Sequence, residues 1–357
     1  MITKKRIPII TACVLGVVLG CSVLFIAASR YGNLSFLLPV KHQAVFIDKK
    51  VAQFPLMLTV RANQIIDEDG KTVILKGVMP PDPTVSNKRG NFNRAFYAGI
   101  QETNANVIRI PVHPEEWIKD EDYLWRYLSP IVSWAGELNM YVIIDWHYIG
   151  NVATGAGSQM PDINIAPKEL TMEFWRLIAT YFRDAPNVIF EVFNEPESIG
   201  AEEWRSNATE IVQVIRDQKA EQIIIVGGLD FGRDLSWVIE NPINAKNIAY
   251  ASHIYPIHSS DMWQYWFGDV AEKYPVLITE WGFMDENRDA APDYLVGSEL
   301  TYGHPFTEYL NAREIGWVGC WYDDEWLPNM FTENGKGTTY NGNFILGELN
   351  NGSTNED

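Results

Sequence analysis

Short apolar runs of the sequence end on polar groups that could take part in acid–base chemistry. The run VIFEVF at 188–193 is followed by Asn194 and Glu195, and the run VLITEW at 276–281 contains Glu280. Burial of an ionisable group costs free energy unless the group is paired or used. A glutamate at a strand end often forms a salt bridge, so either glutamate alone is weak support for a catalytic site.

Other apolar runs of the chain also end on polar or aromatic residues. The polar and aromatic residues at their ends are Arg109, Asp145, His147, His253, Tyr255 and Trp321. A histidine in such a place is more often a hydrogen-bonded core group than a catalyst, and Asp145 and Glu191 are interpreted as internal hydrogen-bonding groups. If the runs are parallel strands whose ends meet at one rim, structural roles alone give no reason for so many of these groups to gather there. Their convergence therefore indicates a functional site.

The runs themselves are eight short β-rich segments, and helical patterns lie between them. They cover 73–78, 107–112, 141–146, 188–193, 223–228, 248–255, 276–281 and 317–322. Apolar residues recur every three or four positions in 169–186, and the segment 202–220 begins with acidic and ends with basic residues. Eight strands that alternate with helices over about 280 residues predict an α/β fold of the (β/α)₈ TIM barrel type, whose usual size is about 250 residues.

A doubly wound open sheet is the competing architecture. It would place a glycine-rich phosphate-binding loop after the first strand, and GVMPPDP at 77–83 lacks that pattern. In a (β/α)₈ barrel the chemistry lies at the C-terminal strand ends, where the polar groups described above would meet. Before the barrel, two alternating runs separated by Asp69 and Gly70 predict a β-hairpin.

Composition limits the classes of partner and cofactor. The chain has 357 residues, of which 46% are apolar, and a formal net charge of −18. A strongly acidic chain is a poor ligand for nucleic acid or anionic lipid, so a neutral ligand is expected. The sequence contains no CxxC or HExxH motif, and we expect no metal and no other cofactor. Cys320 is the one cysteine outside the N-terminal apolar segment, which excludes a disulfide within the globular part.

The N-terminus forms a separate element. Lys4, Lys5 and Arg6 precede the uncharged residues 7–28, which as a helix would span about 33 Å, enough for a bilayer core. Because the basic residues come first, that end should stay in the cytoplasm and the rest should face outward. An uncleaved signal anchor is predicted, with a cleaved signal peptide and a lipoprotein processed at Cys21 as alternatives. The protein is expected on the extracellular face of the membrane or secreted, as a monomer.

Several short motifs, taken together and in order, resemble glycoside hydrolase family 5, a family of retaining β-glycosidases that includes the cellulase-type endoglucanases. They are RIP at 109–111, DWH at 145–147, NEP at 194–196, HIY at 253–255, TEWG at 279–282 and the tryptophan at 321. The resemblance covers roughly residues 58–349. Together with the N-terminal segment and the polar C-terminal residues, it gives a prediction of four parts: a signal anchor or signal peptide at 1–30, a linker at 31–55, a catalytic (β/α)₈ domain at 56–350 and a disordered tail at 351–357.

The resemblance also implies a role for each matching position. Glu195 would be the general acid/base, Glu280 the nucleophile, and Asn194 a hydrogen-bond partner of the sugar 2-hydroxyl. The other positions would surround the nucleophile or bind the sugar: Arg109 and Tyr255 beside Glu280, His147 and His253 along the cleft, and Trp321 as the sugar-binding floor. Trp263 and Trp266 are predicted as further substrate contacts, with anchoring of a helix as the alternative, and Trp117 and Trp326 are weaker candidates.

Cleavage of a glycosidic bond requires one carboxylic acid to protonate the departing oxygen and one carboxylate to attack the anomeric carbon. The predicted function is therefore a retaining endo-β-glycanase acting on β-1,4-glucan, with carboxyl groups about 5–5.5 Å apart. Mannan, xyloglucan and mixed-linkage glucan are alternative substrates for the same chemistry. A non-catalytic cell-surface carbohydrate receptor and a metal-dependent hydrolase using His147, Asp145 and His253 are alternatives from other classes.

Overall fold

The computed structural model describes residues 54–158, 163, 165–285 and 291–351. The predicted signal anchor, nearly all of the predicted linker and the predicted tail beyond Asn351 lie outside these residues. Within them, no helix combines the length and the apolar character needed to cross a bilayer.

The strands of the described part fall into a small N-terminal hairpin, a barrel and a two-stranded pair on the rim. In chain order they are β1 (Thr59–Arg61), β2 (Gln64–Ile66), β3 (Lys76–Met79), β4 (Val107–Val112), β5 (Tyr141–Trp146), β6 (Ile149–Gly150), β7 (Val188–Glu191), β8 (Glu195–Pro196), β9 (Ile224–Gly227), β10 (Ile248–Ile254), β11 (Val276–Trp281) and β12 (Gly316–Cys320).

Eight of these strands close into a parallel barrel. Their order is β3, β4, β5, β7, β9, β10, β11 and β12, and β12 pairs with β3 to complete the ring. Each barrel strand overlaps one of the eight predicted runs, so the (β/α)₈ prediction is confirmed. The strands β6 and β8 pair in parallel just outside the barrel, with Ile149 opposite Glu195.

Helices surround the barrel on its outer face. Those of six residues or more are α1 (Pro83–Lys88), α2 (Arg94–Gln101), α3 (Pro114–Lys119), α4 (Ser129–Glu137), α5 (Pro167–Phe182), α6 (Ala201–Asp217), α7 (His304–Asn311) and α8 (Tyr340–Asn351). Shorter helical turns are Leu124–Leu128, Leu229–Gly232, Ser236–Ile239, Ser260–Met262, Gln264–Gly268, Asp269–Ala271, Asp293–Leu295, Glu299–Gly303 and Glu333–Gly335. The predicted helical segments 169–186 and 202–220 correspond to α5 and α6.

The N-terminal hairpin differs in detail from its prediction. The strands β1 and β2 pair in antiparallel fashion around Ala62 and Asn63, and Ala62 takes the left-handed conformation with φ 55°. Asp69 and Gly70 form the next turn, after which Thr72 bridges back to Ile66. The predicted turn at Asp69 and Gly70 is therefore present, since Val73 N–H donates to the Ile65 carbonyl at 2.9 Å across it and Gly70 takes the positive φ of 80° that such a turn needs, whereas the β1–β2 turn was not predicted.

Aromatic side chains join the barrel to its helices. Every residue of β4, β5, β10 and β11 is buried, as expected for parallel strands covered on both faces. Trp146 of β5 stacks on Phe174 of α5 with ring centroids 4.2 Å apart. Trp204 of α6 donates its indole N–H to the carbonyl oxygen of Gly227 in β9 at 2.9 Å. This packing makes the strand ends a rigid platform.

Candidate active site

A cleft of about 780 Å³ lies at the C-terminal ends of the barrel strands. It is lined by His147, Ile149, Asn194, Glu195, Phe231, Tyr255, Ile257, His258, Glu280, Pro292, Tyr294, Trp321, Trp326 and Leu327. Six of the residues predicted to form a site therefore line one cleft, and Arg109 and His253 lie directly beneath it. Parallel strands bring these positions together because all their carboxyl ends meet at one rim.

Glu195 and Glu280 face each other across this cleft. Glu280 belongs to β11, whereas Glu195 belongs to the short strand β8, where its backbone N–H donates to Tyr148 at 3.1 Å. One carboxylate oxygen of each glutamate lies within 4.8 Å of the other. A pair at this separation fits the close carboxyl groups of a retaining glycosidase, whereas inverting enzymes hold theirs about 6.5–9.5 Å apart.

Arg109 organises the floor beneath the pair. Its guanidinium is fully buried and donates to Glu280 Oε1 at 2.7 Å, to Glu191 Oε2 at 2.6 Å and to Asn194 Oδ1 at 2.8 Å. Asp145 Oδ2 lies 3.1 Å from the same guanidinium. Asp145 and Glu191, interpreted from the sequence as internal hydrogen-bonding groups, thus share the charge of Arg109 with the cleft glutamate.

The surroundings separate the acidities of the two glutamates. Burial acts to raise the pKa of Glu280, but His253 and Arg109 outweigh it and lower this pKa to about 2. Burial raises the pKa of Glu195 and the negative charge of Glu280 adds to the shift, although the hydrogen bond from His253 opposes it. One carboxyl group is therefore held ionised, and the other is favoured in its protonated form.

Tyr255 and His253 contact the two carboxyl groups directly. The Tyr255 hydroxyl donates to Glu280 Oε2 at 2.9 Å, and burial raises the pKa of Tyr255 well above its usual range, so that it remains a donor. His253 Nδ1 lies 3.0 Å from Glu195 Oε1 and 3.8 Å from Glu280 Oε2. The backbone of Gly232, with φ 77°, packs so closely on the His253 ring that an added Cβ would lie 2.7 Å from Nδ1.

His147 and two tryptophans form one side of the cleft. Burial, together with the nearby His113, holds the pKa of His147 well below its usual range, so the ring is neutral and Nδ1–H donates to Asp145 at 2.6 Å. Its ring meets Trp321 edge-on with centroids 6.0 Å apart, and Trp321 meets Trp326 at 4.9 Å. The half-buried Trp321 lies next to the glutamates, as expected of a sugar-binding floor.

The structure does not place Trp263 or Trp266 on the cleft wall, which corrects both predictions. Trp263 is 3% exposed, packs on Phe306 at 4.9 Å and donates its N–H to the carbonyl of His258. Trp266 packs beneath the guanidinium of Arg233 at 4.8 Å. The anchoring alternative describes Trp263, because the helical turn after β10 directs it inward. Trp117 likewise packs on Phe174 at 4.8 Å, between helices.

The prediction from strand ends did not include one polar pair beside the cleft, His113 and Asp82. His113 directly follows β4, and its ring lies 4.7 Å from that of His147 and 5.6 Å from that of Trp326. The fully buried Asp82 accepts the backbone N–H of His113 at 3.0 Å and the Tyr123 hydroxyl at 2.9 Å. Because VIRIPV ends just before it, His113 could have been found by the same reasoning.

Large exposed side chains that line the cleft were also missed. Phe231 is 43% exposed, Ile257 is 61% exposed and Tyr294 is 43% exposed, and all three line the cleft. They belong to loops after β9, β10 and β11, not to strand ends. Nothing in the local sequence pattern distinguishes such loop residues from others on the surface.

One cluster in the described part of the chain has ligand atoms close enough for a metal ion. It comprises Glu195, His253 and Glu280, whose ligand atoms all lie within 4.8 Å of one another. The set considered for a metal-dependent hydrolase is not brought together as such a cluster, because Asp145 is bonded to Arg109 and His147. In the cluster that does form, Glu280 already accepts hydrogen bonds from Arg109 and Tyr255. His253 lies close to both glutamates.

Comparisons with known proteins agree with this site. Residues 66–324 match the family model described as cellulase (glycosyl hydrolase family 5). The chain is 28% identical over 280 residues to endoglucanase E-5 of Thermobifida fusca, covering 74% of this chain and 55% of that protein. It is 26% identical over 289 residues to an endoglucanase of Clostridium saccharobutylicum, covering 79% and 60%. The chain thus spans little more than half the length of these relatives.

Solved structures show the same architecture over more of the chain. A β-glucanase from Saccharophagus degradans has 26% sequence identity and a TM-score of 0.81, covering 88% of this chain and 98% of that one. The same β-glucanase in complex with cellotetraose gives a TM-score of 0.82. With the family model matching most of the described barrel, the chain belongs to glycosyl hydrolase family 5.

Proposed function

We propose that this protein is a retaining endo-β-glucanase that hydrolyses β-1,4-linked glucan, with Glu195 as general acid/base and Glu280 as nucleophile. The observation that carries the proposal is the approach of the two carboxyl groups to within 4.8 Å. This separation leaves no room for the water that an inverting enzyme activates between its carboxyl groups.

The reaction has two steps. Glu195 donates its proton to the glycosidic oxygen while Glu280 attacks the anomeric carbon, which breaks the glycosidic bond and forms a glycosyl ester on Glu280. The ionised Glu195 then takes a proton from a water molecule, whose oxygen attacks the same carbon and releases Glu280. Two displacements at one carbon retain its β configuration.

The neighbours of the pair have matching roles in this reaction. Arg109 and Tyr255 donate to Glu280 and favour the carboxylate that attacks. Asn194 accepts from Arg109 through its amide oxygen, which leaves its NH₂ group to donate to the sugar 2-hydroxyl. Hydrogen bonds to this hydroxyl strengthen in the transition state and contribute several kcal/mol in such enzymes.

The cleft favours a polysaccharide chain bound along its length. Aromatic rings bind the apolar faces of sugars, and Trp321, Trp326, Phe231 and Tyr294 all line the cleft. Several aromatic residues in one cleft provide for more than one bound sugar residue. A similar protein binds cellotetraose, which supports glucan over mannan or xyloglucan.

A panel of polysaccharides tests the proposal. Reducing ends released from carboxymethylcellulose, mixed-linkage glucan, xyloglucan and mannan are measured with the wild type and with Glu280→Ala. Fastest release from a β-1,4-containing glucan, with a rapid fall in viscosity, is expected for the wild type only. Equal release by both proteins would overturn the nucleophile assignment, and preference for mannan would overturn the substrate.

We also propose that residues 7–28 hold the enzyme on the outer face of the membrane as an uncleaved signal anchor. The support is the length of the uncharged stretch and the basic residues that precede it. A neutral polysaccharide outside the cell suits this location, since the catalytic part and its net negative charge need no membrane contact of their own.

A further inference from the structure

We propose that an ion pair between Arg89 and Asp323 holds Trp326 in place as a second sugar-binding surface beside Trp321. The inference rests on the proposed glucan substrate. It makes Trp326 a substrate-binding residue, because this side chain lines the cleft. Arg89 and Asp323 are not among the lining residues and act as positioning residues. The affinity of the enzyme for a glucan chain then depends on a salt bridge outside the cleft.

Trp326 lies in the loop after β12, and Trp321 is the first residue of this loop. The ring of Trp326 meets that of Trp321 edge-on with centroids 4.9 Å apart, and it lies 5.6 Å from the ring of His113. The side chain is half-buried, so part of the ring remains open to the cleft. A second ring next to Trp321 is placed to bind the apolar face of the sugar residue that adjoins the one on Trp321.

Asp323 fixes the backbone that carries Trp326. Its Oδ2 accepts the backbone N–H of Trp326 at 2.7 Å and that of Glu325 at 3.2 Å. Its carbonyl oxygen accepts the N–H of Phe331 at 3.0 Å, further along the same loop. Asp323 therefore joins the turn that presents Trp326 to the part of the loop that returns to the barrel.

Arg89 binds the other carboxylate oxygen of Asp323. Arg89 Nη1 donates to Asp323 Oδ1 at 2.5 Å, and Nη2 donates to Glu325 Oε2 at 2.6 Å. The two carboxylates differ in exposure, because 3% of the Asp323 side chain is exposed against 64% of the Glu325 side chain. An exposed ion pair contributes little, whereas a buried charge that loses its partner must become hydrated. The contact with Asp323 is therefore the one that fixes the loop.

The short helix α1 supports Trp326 from both of its ends. Asp82 directly precedes α1 and accepts the backbone N–H of His113, whose ring contacts Trp326. Arg89 directly follows α1 and reaches the loop after β12. The strands β12, β3 and β4 are neighbours in the barrel, which brings the loops that follow them together. The segment after β3 thus holds the ring of Trp326 through His113 and its backbone through Arg89.

Trp321 is held by backbone hydrogen bonds that do not involve Arg89. Its N–H donates to the carbonyl oxygen of Pro328 at 2.7 Å, and its own carbonyl oxygen accepts the N–H of Met330 at 3.0 Å. Loss of the Arg89 contact should therefore displace Trp326 and leave Trp321 and the two glutamates in place. A glucan chain would bind more weakly while the chemistry at the cleaved bond stayed the same, which raises KM and leaves kcat unchanged.

Binding of cellotetraose to the full chain, measured by calorimetric titration in a Glu280→Ala background, tests this inference without hydrolysis. Trp326→Ala and Arg89→Met should each weaken binding by about 10-fold, the effect of one lost aromatic contact. Arg89→Met keeps an apolar stem and donates no hydrogen bond. Because Arg89 acts through Trp326, the double variant should bind no more weakly than Trp326→Ala alone. Additive losses, or wild-type affinity in a folded Arg89→Met, would overturn the proposal.

The matched control is Glu325→Gln, which removes the charge from the exposed partner of the same guanidinium and should keep the wild-type affinity. Asp323→Asn is the second test of the buried contact if Arg89→Met does not fold. An amide has one accepting oxygen where the carboxylate uses two, so Asp323→Asn should weaken binding as Trp326→Ala does. Equal losses in Glu325→Gln and Arg89→Met, or no loss in a folded Asp323→Asn, would contradict the assignment.

Fluorine NMR of protein labelled with 5-fluorotryptophan reports the position of Trp326 itself. Its resonance, identified by its loss in Trp326→Phe, should shift in Arg89→Met and stay unchanged in Glu325→Gln. An unshifted resonance in a folded Arg89→Met would overturn the inference. Absence of hydrolysis on any glucan, with the effects on cellotetraose binding intact, would refute the proposed function alone. Normal hydrolysis with unchanged binding in Trp326→Ala would refute this inference alone.

Discussion

Glu195 and Glu280 share one buried cluster but have different neighbours. Glu280 receives hydrogen bonds from Arg109 and Tyr255, which stabilise its carboxylate. Glu195 contacts His253 and is surrounded by apolar and negatively charged groups, which favours its protonated form. The same side chain can therefore act as a nucleophile at one position and as an acid at the other.

The pH dependence of activity follows from these shifts. Because the pKa of Glu280 is lowered to about 2, the nucleophile stays ionised throughout the weakly acidic range. Because the pKa of Glu195 is raised, the protonated acid is lost only as pH rises through that higher value. We expect kcat/KM to be sustained at weakly acidic pH and to fall on the alkaline side. A profile that falls between pH 6 and 4 while the fold stays intact would contradict this assignment.

Glu195→Gln separates acid catalysis from attack. For a substrate with a poor leaving group, kcat/KM should fall by about 10²–10⁴, the usual contribution of a general acid. A dinitrophenyl β-cellobioside needs no protonation, so release of dinitrophenol in the first turnover should be nearly normal. Stopped-flow absorbance measures both.

The matched control for this variant is Glu197→Gln, which makes the same change two residues away and outside the cluster. It should leave both substrates unaffected. Equal losses on both substrates in Glu195→Gln would show that Glu195 is not the proton donor.

At the residue scale, sequence patterns located the groups that lie at strand ends. Glu195, Glu280 and Arg109 follow or occupy β-rich runs, and parallel strands must bring such positions together. Trp263 was assigned wrongly because a tryptophan is as well suited to core packing as to sugar binding, and residue type alone does not separate the two. Its direction depends on the helical turn after β10, which only the packing of the whole barrel determines.

Among the elements, the loop after β9 has a particular influence on the site. Residues 229–232 make one turn with Asp230 and Phe231 at positive φ, and Gly232 then lies against the ring of His253. This loop replaces a regular helix between β9 and β10. It both exposes Phe231 to the cleft and limits the position of His253.

Gly232→Ala tests this contact. The added Cβ would lie 2.7 Å from His253 Nδ1, so the ring or the loop must move. Displacement of a catalytic group by about 1 Å can cost about 10²-fold, and we expect kcat/KM to fall by about 10- to 100-fold. Steady-state kinetics and thermal unfolding are measured together.

Gly90→Ala is the control for backbone strain. Gly90 has φ 79°, against 77° at Gly232, and an added Cβ would meet nothing within 4 Å. Both variants should lose about 1 kcal/mol of stability, and only Gly232→Ala should lose activity. Parallel losses of activity in both would mean that strain, not contact with His253, is responsible.

The eight barrel strands were predictable because buried parallel strands read as continuous apolar runs. The residues at which these strands end were less predictable. The run at 188–193 was predicted as one strand, but β7 stops at Glu191 and the chain then turns outward into β8. This bend, which presents Glu195 to the cleft, depends on the pairing of β8 with β6 and leaves no pattern in the run itself.

For the whole molecule, the proposal that the enzyme meets its substrate outside the cell rests on the N-terminal segment. The full chain is expected in the membrane fraction after an alkaline carbonate wash, whereas a chain beginning at residue 54 should be soluble and equally active on soluble glucan. Mass spectrometry of the mature N-terminus distinguishes the alternatives. A lipid-bearing N-terminus at Cys21 or a shortened chain would contradict an uncleaved anchor.

The central claim is that Glu280 forms a covalent bond to the sugar, and trapping tests it most directly. A 2-deoxy-2-fluoro-β-cellobiosyl fluoride should react once and accumulate, because fluorine slows both steps and the good leaving group restores the first. Peptide mapping by mass spectrometry is expected to find one added cellobiosyl group on the peptide that contains Glu280, at that residue. A label on Glu195 or elsewhere, or α-configured product with no label, would contradict the account.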